Sequence, residues 1–297
     1  MTALAKRGLT TAVICSEPFK ALGTNQARVF GKPELPLVMI PHPLGGLSIE
    51  QVEGRALVAT PQVVALIKAA VRMALFKKLS GHRLLEELKA LCSEREPKSG
   101  VKRLAELDLL RFIHPKLVWT SRFEKLLLAV EETLDWYRLL YLDHRLESWL
   151  VYMMAIAAVL PDRGVSDLLK RFPFSEREAT TLKAMRGGAH RLLRQLSKQP
   201  PLKPSGVFRA LEGVPDEALL AIMAQSPSDR VKRQVSAYLT SWRQAKPLLT
   251  GKDLQAMGIK PGPIYSQVLS RLRDAHLDGL VKTESDERTF IESLIRR

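Results

Sequence analysis

Two rhythms of apolar and polar residues divide the chain. In the first 58 residues the apolar positions come as short β-branched runs, Thr10-Thr11-Ala12-Val13-Ile14-Cys15 and Leu35-Pro36-Leu37-Val38-Met39-Ile40. The second run is closed by Pro41-His42-Pro43-Leu44-Gly45-Gly46. Such runs, bounded by proline and glycine, predict strands. Between them Phe19, Leu22, Ala27 and Phe30 are spaced for a short helix over residues 17–30. Strand, helix and strand make one parallel crossover unit, too little to complete a sheet, so residues 1–58 read as a piece of a larger α/β domain.

From residue 60 the period becomes helical and stays so. Thr60-Pro61 reads as an N-cap followed by proline at the first helical position, with Val64, Ile67, Val71 and Leu75 on one face and Lys68 and Arg72 beside it. Ser80 caps a helix carrying Leu84, Leu85, Leu88 and Leu91, and residues 98–112 make another, ended by Ile113-His114-Pro115. Residues 122–142 and 144–160 follow, with Trp136, Tyr137, Tyr141, Trp149 and Tyr152 at spacings that suit a core better than a base-stacking face. Shorter helices are expected at 164–172, 175–186 and 189–197, the middle one opened by the capping box Ser175/Glu178. Gln199-Pro200-Pro201-Leu202-Lys203-Pro204 marks an interior linker, and helices over 205–211, 215–224 and 228–242 come after it. The expected fold class is mainly α, a multi-helical array with a short N-terminal α/β fragment.

Charge narrows the partners. The 297 residues carry 46 Lys and Arg against 31 Asp and Glu, a formal net charge of +15, spread over many helices rather than gathered in one amphipathic segment. That points to a polyanion, nucleic acid before an acidic membrane surface. Cys15 and Cys92 stand far apart with no Cys-x-x-Cys spacing, so neither a disulfide framework nor a zinc site is expected. Cys15 and His114 read as packing residues, and His42 has no partner at metal-ligand spacing. The most apolar stretch, residues 149–161, is too short to span a bilayer, and no leader-like segment opens the chain, which predicts a cytoplasmic protein with no membrane partner.

The most distinctive segment is Leu249-Thr250-Gly251-Lys252-Asp253-Leu254-Gln255-Ala256-Met257-Gly258-Ile259-Lys260-Pro261-Gly262-Pro263. A short helix should end at Gly258, and a second should start near residues 261–263 and run through Val268, Leu269 and Leu272 to Leu277. Free amides at that second helix N-terminus, with Lys252 and Lys260 beside them, suit a phosphate in the manner of a helix-hairpin-helix module. A tight corner in which the glycines only allow the turn is the other reading. Arg186, His190, Arg191 and Arg194 flank Gly187-Gly188, either as phosphate contacts or as a solvated basic face.

This segment, with Ala275-His276-Leu277-Asp278-Gly279, resembles the tail of bacterial class II tRNA nucleotidyltransferases, the CCA-adding and A-adding enzymes. Ser80-Gly81-His82-Arg83-Leu84-Leu85-Glu86-Glu87-Leu88 is similar to the family's neck signature, and Arg83 and Glu87, four residues apart, are placed to pair. Residues 104–115 form a third neck-like match, with Asp108 where the family commonly has glycine. The resemblance implies a helical neck over 59–125, a body over 126–199 and a tail over 200–297. It implies RNA contacts at Lys252, Gly258, Lys260, Gly262, Arg271, Arg186 and Arg191, with the acceptor and T arms of tRNA as partner.

The family's catalytic head uses a Gly-Ser dipeptide and an Asp-x-Asp pair that holds magnesium ions for ATP or CTP, and neither motif occurs in these 297 residues. No catalytic residue, metal ligand or cofactor is therefore assigned to this chain. Magnesium and ATP or CTP are expected only with a separately encoded head. Residues 6–47 resemble the latter half of the UGSC family of thiol or selenocysteine proteins. That family's redox motif would lie upstream of Met1, and an internal selenocysteine codon read as a stop would account for its absence. Three expectations follow: the RNA-binding part of a split transferase, an inactive fusion or relic that binds RNA, and a thiol-redox module in the first 58 residues.

Overall fold

The computed structural model describes residues 12–43, 45–142, 146–161 and 163–295, with the side chains of residues 78, 184–187 and 295 outside the description. It separates into two compact units, one of residues up to 87 together with 99–119, the other of residues 88–98 together with 120–297.

The first unit opens with the expected crossover. Strand β1 (Val13–Ser16) and strand β2 (Leu37–Ile40) pair in parallel with Ile14 opposite Val38, joined by a 3-10 turn (Glu17–Phe19) and helix α1 (Lys20–Val29). On α1 a Cβ at Gly23 would lie 3.4 Å from the Leu37 side chain and 3.7 Å from the Cys15 sulfur, so the helix sits close over one face of the strands. Helix α2 (Ile49–Arg72) packs against β2 through Ala59, Val63 and Leu66, which close on Val38 and Ile40.

The start of α2 corrects the reading of Thr60-Pro61. Ser48 is the N-cap: its Oγ accepts the Gln51 N–H while Gln51 Oε1 accepts the Ser48 N–H at 3.0 Å. The helix then runs 24 residues with Pro61 inside it, and Thr60 donates its hydroxyl to Ala56 O at 2.7 Å as an interior residue does. The apolar stripe Val52, Ala56, Ala59, Val63, Leu66 and Ala70 continues through the proline, and packing on β2 outweighs a local penalty of about 3 kcal/mol. Among the described helices α2 is also long and apolar enough, by length and composition, to cross a membrane, in place of the shorter 149–161 stretch. Gln62 does something no local pattern announced. Its side-chain amide accepts the Met39 N–H at 3.0 Å and donates to Met39 O at 2.7 Å, so it pairs with the edge of β2 that faces away from β1.

Helices α3 (Gly81–Leu91), α4 (Pro97–Glu106) and α5 (Leu110–Ile113) follow. Ser80 accepts the Arg83 N–H at 3.3 Å as expected of a cap. Arg83 and Glu87 both stand exposed and no ion pair joins them, contrary to their spacing. The helix expected over 98–112 is broken at 107–109, where Asp108 takes φ +59° and Leu109 N–H reaches back to Leu104 O at 2.8 Å. This left-handed closing turn is a conformation that glycine adopts more readily than aspartate.

In the second unit α6 (Ser121–Arg138), α7 (Ser148–Val159), α8 (Gly164–Arg171) and α9 (Glu176–Leu196) precede the proline linker. After it come α10 (Pro204–Leu211), α11 (Asp216–Gln225), α12 (Asp229–Thr240), α13 (Gly251–Ala256), α14 (Pro263–Leu277) and α15 (Glu284–Ile295). Helices α7 and α11 are buried on nearly every side, as their uninterrupted apolar composition requires, and α6 and α9 wrap them. Helix α9 is continuous, so Gly187-Gly188 does not divide it as the sequence suggested. Its Ser175/Glu178 capping box forms, and although burial opposes ionisation, the Ser175 amide and the Lys89 ammonium hold the Glu178 carboxyl below its usual range. Tyr137, Trp149 and Tyr152 are core residues, whereas Tyr141 is 88% exposed at φ +47°. His114 is buried, with Nδ1 accepting the Lys116 N–H at 3.1 Å. Helix α15 has no counterpart in the sequence reading. His144 lies outside the described residues.

Candidate nucleic-acid interface

The tail motif is built as a small clasp. Thr250 and Asp253 open α13, with Asp253 Oδ2 accepting both the Thr250 N–H and its hydroxyl at 2.7 Å. Those two bonds hold the Asp253 carboxyl below the ordinary carboxylate range. Gly258 ends α13 at φ +81°, and Ile259 N–H bonds back to Leu254 O at 3.1 Å, a helix ending that only glycine adopts without strain. Tyr265 ties the turn from below, its hydroxyl donating to Ile259 O at 2.9 Å while its ring rests beside Gly251. Under the clasp Leu249, Leu254, Val268, Leu272 and Ile291 form one apolar core. The carboxylate of Glu287 on α15, fully buried, accepts the N–H groups of Leu248 at 3.0 Å and Leu249 at 2.8 Å. The unforeseen helix α15 is thus what fixes the approach to α13.

This leaves a defined outer surface. Lys252, Gly258, Lys260 and Gly262 are all exposed around the turn, and the amides of Lys260, Gly262 and Ile264 make no hydrogen bond within the described chain. Arg271 is exposed on α14, on the same stripe as Ile264 and Gln267 and roughly 10 Å further along the helix from Ile264. Free amides at a helix N-terminus, flanked by two ammonium groups and a guanidinium, form an anion-binding surface. Five of the seven sequence-derived RNA contacts therefore share one unit of structure.

The other two lie on α9. Arg191 is exposed; the side chain of Arg186 lies outside the described residues. Arg191 lines a cleft of about 530 Å³ with Gly188, Gln195, Leu202, Gly206 and Arg209, between α9 and α10. Arg209, missed by the sequence reading, comes in from the far side of the proline linker and is held by Asp274 Oδ2 at 3.1 Å. A second cavity of about 400 Å³ lies at the start of α11. There Asp216 binds Arg243 and the Tyr137 hydroxyl, and Glu217 binds Arg177 at 3.0 Å. Its charges are mutually satisfied, which makes it a brace.

Among the described residues no group of three or more His, Cys, Asp and Glu comes together that could hold a metal ion. Cys15 is half-buried with its thiol toward Ser16 O, and Ser16 Oγ lies 3.4 Å from His42 Nδ1. Cys92 is 1% exposed, and burial pushes its thiol up to about 12.

Residues 60–119 match the family described as the probable RNA and SrmB-binding site of polymerase A, and residues 2–69 match the UGSC family. Over residues 60–119 the helical part of the chain is thus similar to an RNA-binding region described for polymerase A. More narrowly, it is similar to the body and tail region of class II tRNA nucleotidyltransferases. The A-adding tRNA nucleotidyltransferase of Geobacter sulfurreducens is 39% identical over 226 residues, covering 75% of this chain and 26% of that protein. The corresponding protein of Halalkalibacterium halodurans is 25% identical over 223 residues, covering 71% of this chain and 46% of that protein. The chain thus spans less than half the length of these relatives. The fold is shared with the Thermotoga maritima CCA-adding enzyme solved in complex with tRNA, at a TM-score of 0.64 and 19% identity over 93% of this chain and 62% of that one. An apo CCA-adding enzyme aligns at 0.63 and 20% identity over 77% of this chain and 53% of that one.

Proposed function

We propose that the helical region holds tRNA by its acceptor and T arms, through phosphate contacts and shape rather than base sequence, as the RNA-binding part of a 3′-end nucleotide-adding system. The observation that carries this reading is the tail clasp, where unbonded amides, Lys252, Lys260 and Arg271 face solvent on a turn braced from within. Its 39% identity to a curated A-adding tRNA nucleotidyltransferase supports tRNA as the polyanion. The place of action is the cytoplasm. Magnesium and ATP or CTP belong with residues bearing Gly-Ser and Asp-x-Asp, motifs that these 297 residues do not contain.

The test is binding of a tRNA transcript lacking its 3′ terminus. With four phosphate contacts, affinity should fall about a hundredfold between 50 and 200 mM salt. The double variant Lys252→Gln/Lys260→Gln should make the slope of log K against log salt shallower by about 1.8. Equal binding at low and high salt would overturn the electrostatic account. Incorporation of labelled ATP or CTP only when a candidate head protein is added distinguishes a split transferase from an inactive RNA-binding fusion. A thiol role for residues 1–58 has weaker support, resting on a half-buried Cys15 without a second thiol beside it among the described residues.

A further inference from the structure

Helix α9 carries a glycine that its own fold does not require. Gly188 lies in the helix interior, where glycine is the least favourable residue after proline. Glycines tolerated at such places usually make room for a neighbouring helix or side chain. Here a Cβ built on Gly188 meets no atom within 4 Å among the described residues beyond its chain neighbours and its own helix backbone. The open space above it is the cleft between α9 and α10, walled by Arg191 and Gln195 on one side and Arg209 on the other, with Gly206 opposite. Among the described residues Arg191 has no acid partner, and Arg209 directs one guanidinium nitrogen to Asp274 and keeps the rest of its donors. Arg194, Lys198 and Lys203 stand exposed around the same end of the helix and linker.

A missing side chain in an otherwise unobstructed wall, between two arginines, lets a ligand approach helix backbone closely. We propose that this cleft seats the sugar-phosphate backbone of one RNA strand, with Gly188 as the position of closest approach and Arg191 and Arg209 as the phosphate partners. Its positive charge suits a polyanion, and its donors, two guanidinium forks and a Gln195 amide, match phosphate oxygens and ribose hydroxyls. The inference rests on the RNA-binding reading and adds to the tail clasp a second grip, in the body, contributed by both sides of the proline linker.

The experiment uses the full chain and the same 3′-truncated tRNA transcript. Gly188→Met fills the cleft with a flexible chain of good helix propensity, and Gly188→Ala is the smaller step. Both should raise Tm, by roughly 2–4 °C for alanine. Affinity for tRNA should nevertheless fall on the order of tenfold for methionine, about what losing one or two phosphate contacts does. Arg191→Gln, an exposed change that leaves folding alone, should weaken binding several-fold and make the salt slope shallower by about 0.9. A methionine variant that folds and binds tRNA as tightly as the parent, or an Arg191→Gln variant with an unchanged slope, overturns the cleft. Failure of the parent chain to bind tRNA at low salt overturns the RNA reading itself and the cleft with it, a result distinguishable from loss in the variants alone.

Discussion

At the scale of single residues, backbone sign matters as much as side-chain chemistry. Asp108 holds φ +59° at the end of α4, a conformation that costs an L-residue roughly 1–2 kcal/mol and glycine almost nothing. Its one compensation is an exposed ion pair with Arg111 at 3.1 Å, of the class worth about 0–1 kcal/mol. Asp108→Gly should therefore stabilise the protein by up to about 1 kcal/mol, seen as a higher urea midpoint with an unchanged m-value. A lower midpoint would mean that the Arg111 contact outweighs the strain. The departure from glycine was visible in the residues 104–115 match; the left-handed angle that gives it meaning was not, because a single sequence reports residue type and not φ.

Among the elements, the tail shows how a short helix is kept in place. Helix α13 has six residues, too few to persist alone, and is held by its own cap, by the Tyr265 tie and by Glu287 beneath it. Asp253 and Asp286 both have carboxyls held below their usual value, Asp253 by Thr250 and Asp286 by the amides of Lys282 and Thr283. A depressed acid contributes stability above its unfolded value and loses it as pH falls through the lower folded value. The tail should accordingly loosen below about pH 4. Tail amide exchange should rise there in the parent, and Asp253→Asn should show part of that rise already at neutral pH. The two helices of the hairpin and its Gly258 turn were legible, since Gly-Ile-Lys-Pro-Gly-Pro is a strong local punctuation. Helix α15 was not, because what holds it is a buried carboxylate whose partners lie nearly forty residues away, at Leu248 and Leu249.

For the whole molecule, the telling element is α2. The two family matches, residues 2–69 and residues 60–119, overlap within it. Thr60-Pro61 bears the marks of a helix start, yet the helix runs through it, so a local start signal persists where tertiary packing no longer heeds it. The change of period near residue 60 was read as a junction, whereas the helix continues there, because continuity depended on β2 lying beneath Ala59, Val63 and Leu66. Gln62, in that overlap, joins the two parts most directly through its paired bonds to Met39. Gln62→Leu should strand the Met39 N–H and C=O and cost about 1–3 kcal/mol. The Met39 amide should exchange slowly in the parent and quickly in the variant; slow exchange in both would mean that the pairing contributes nothing. One side-chain amide thereby serves β2 as an extra residue of strand, and among the described residues the free side of β1 has no such cover. The α/β piece consequently has a direction of growth: it is able to terminate a larger sheet at β2 but not to occupy the interior of one.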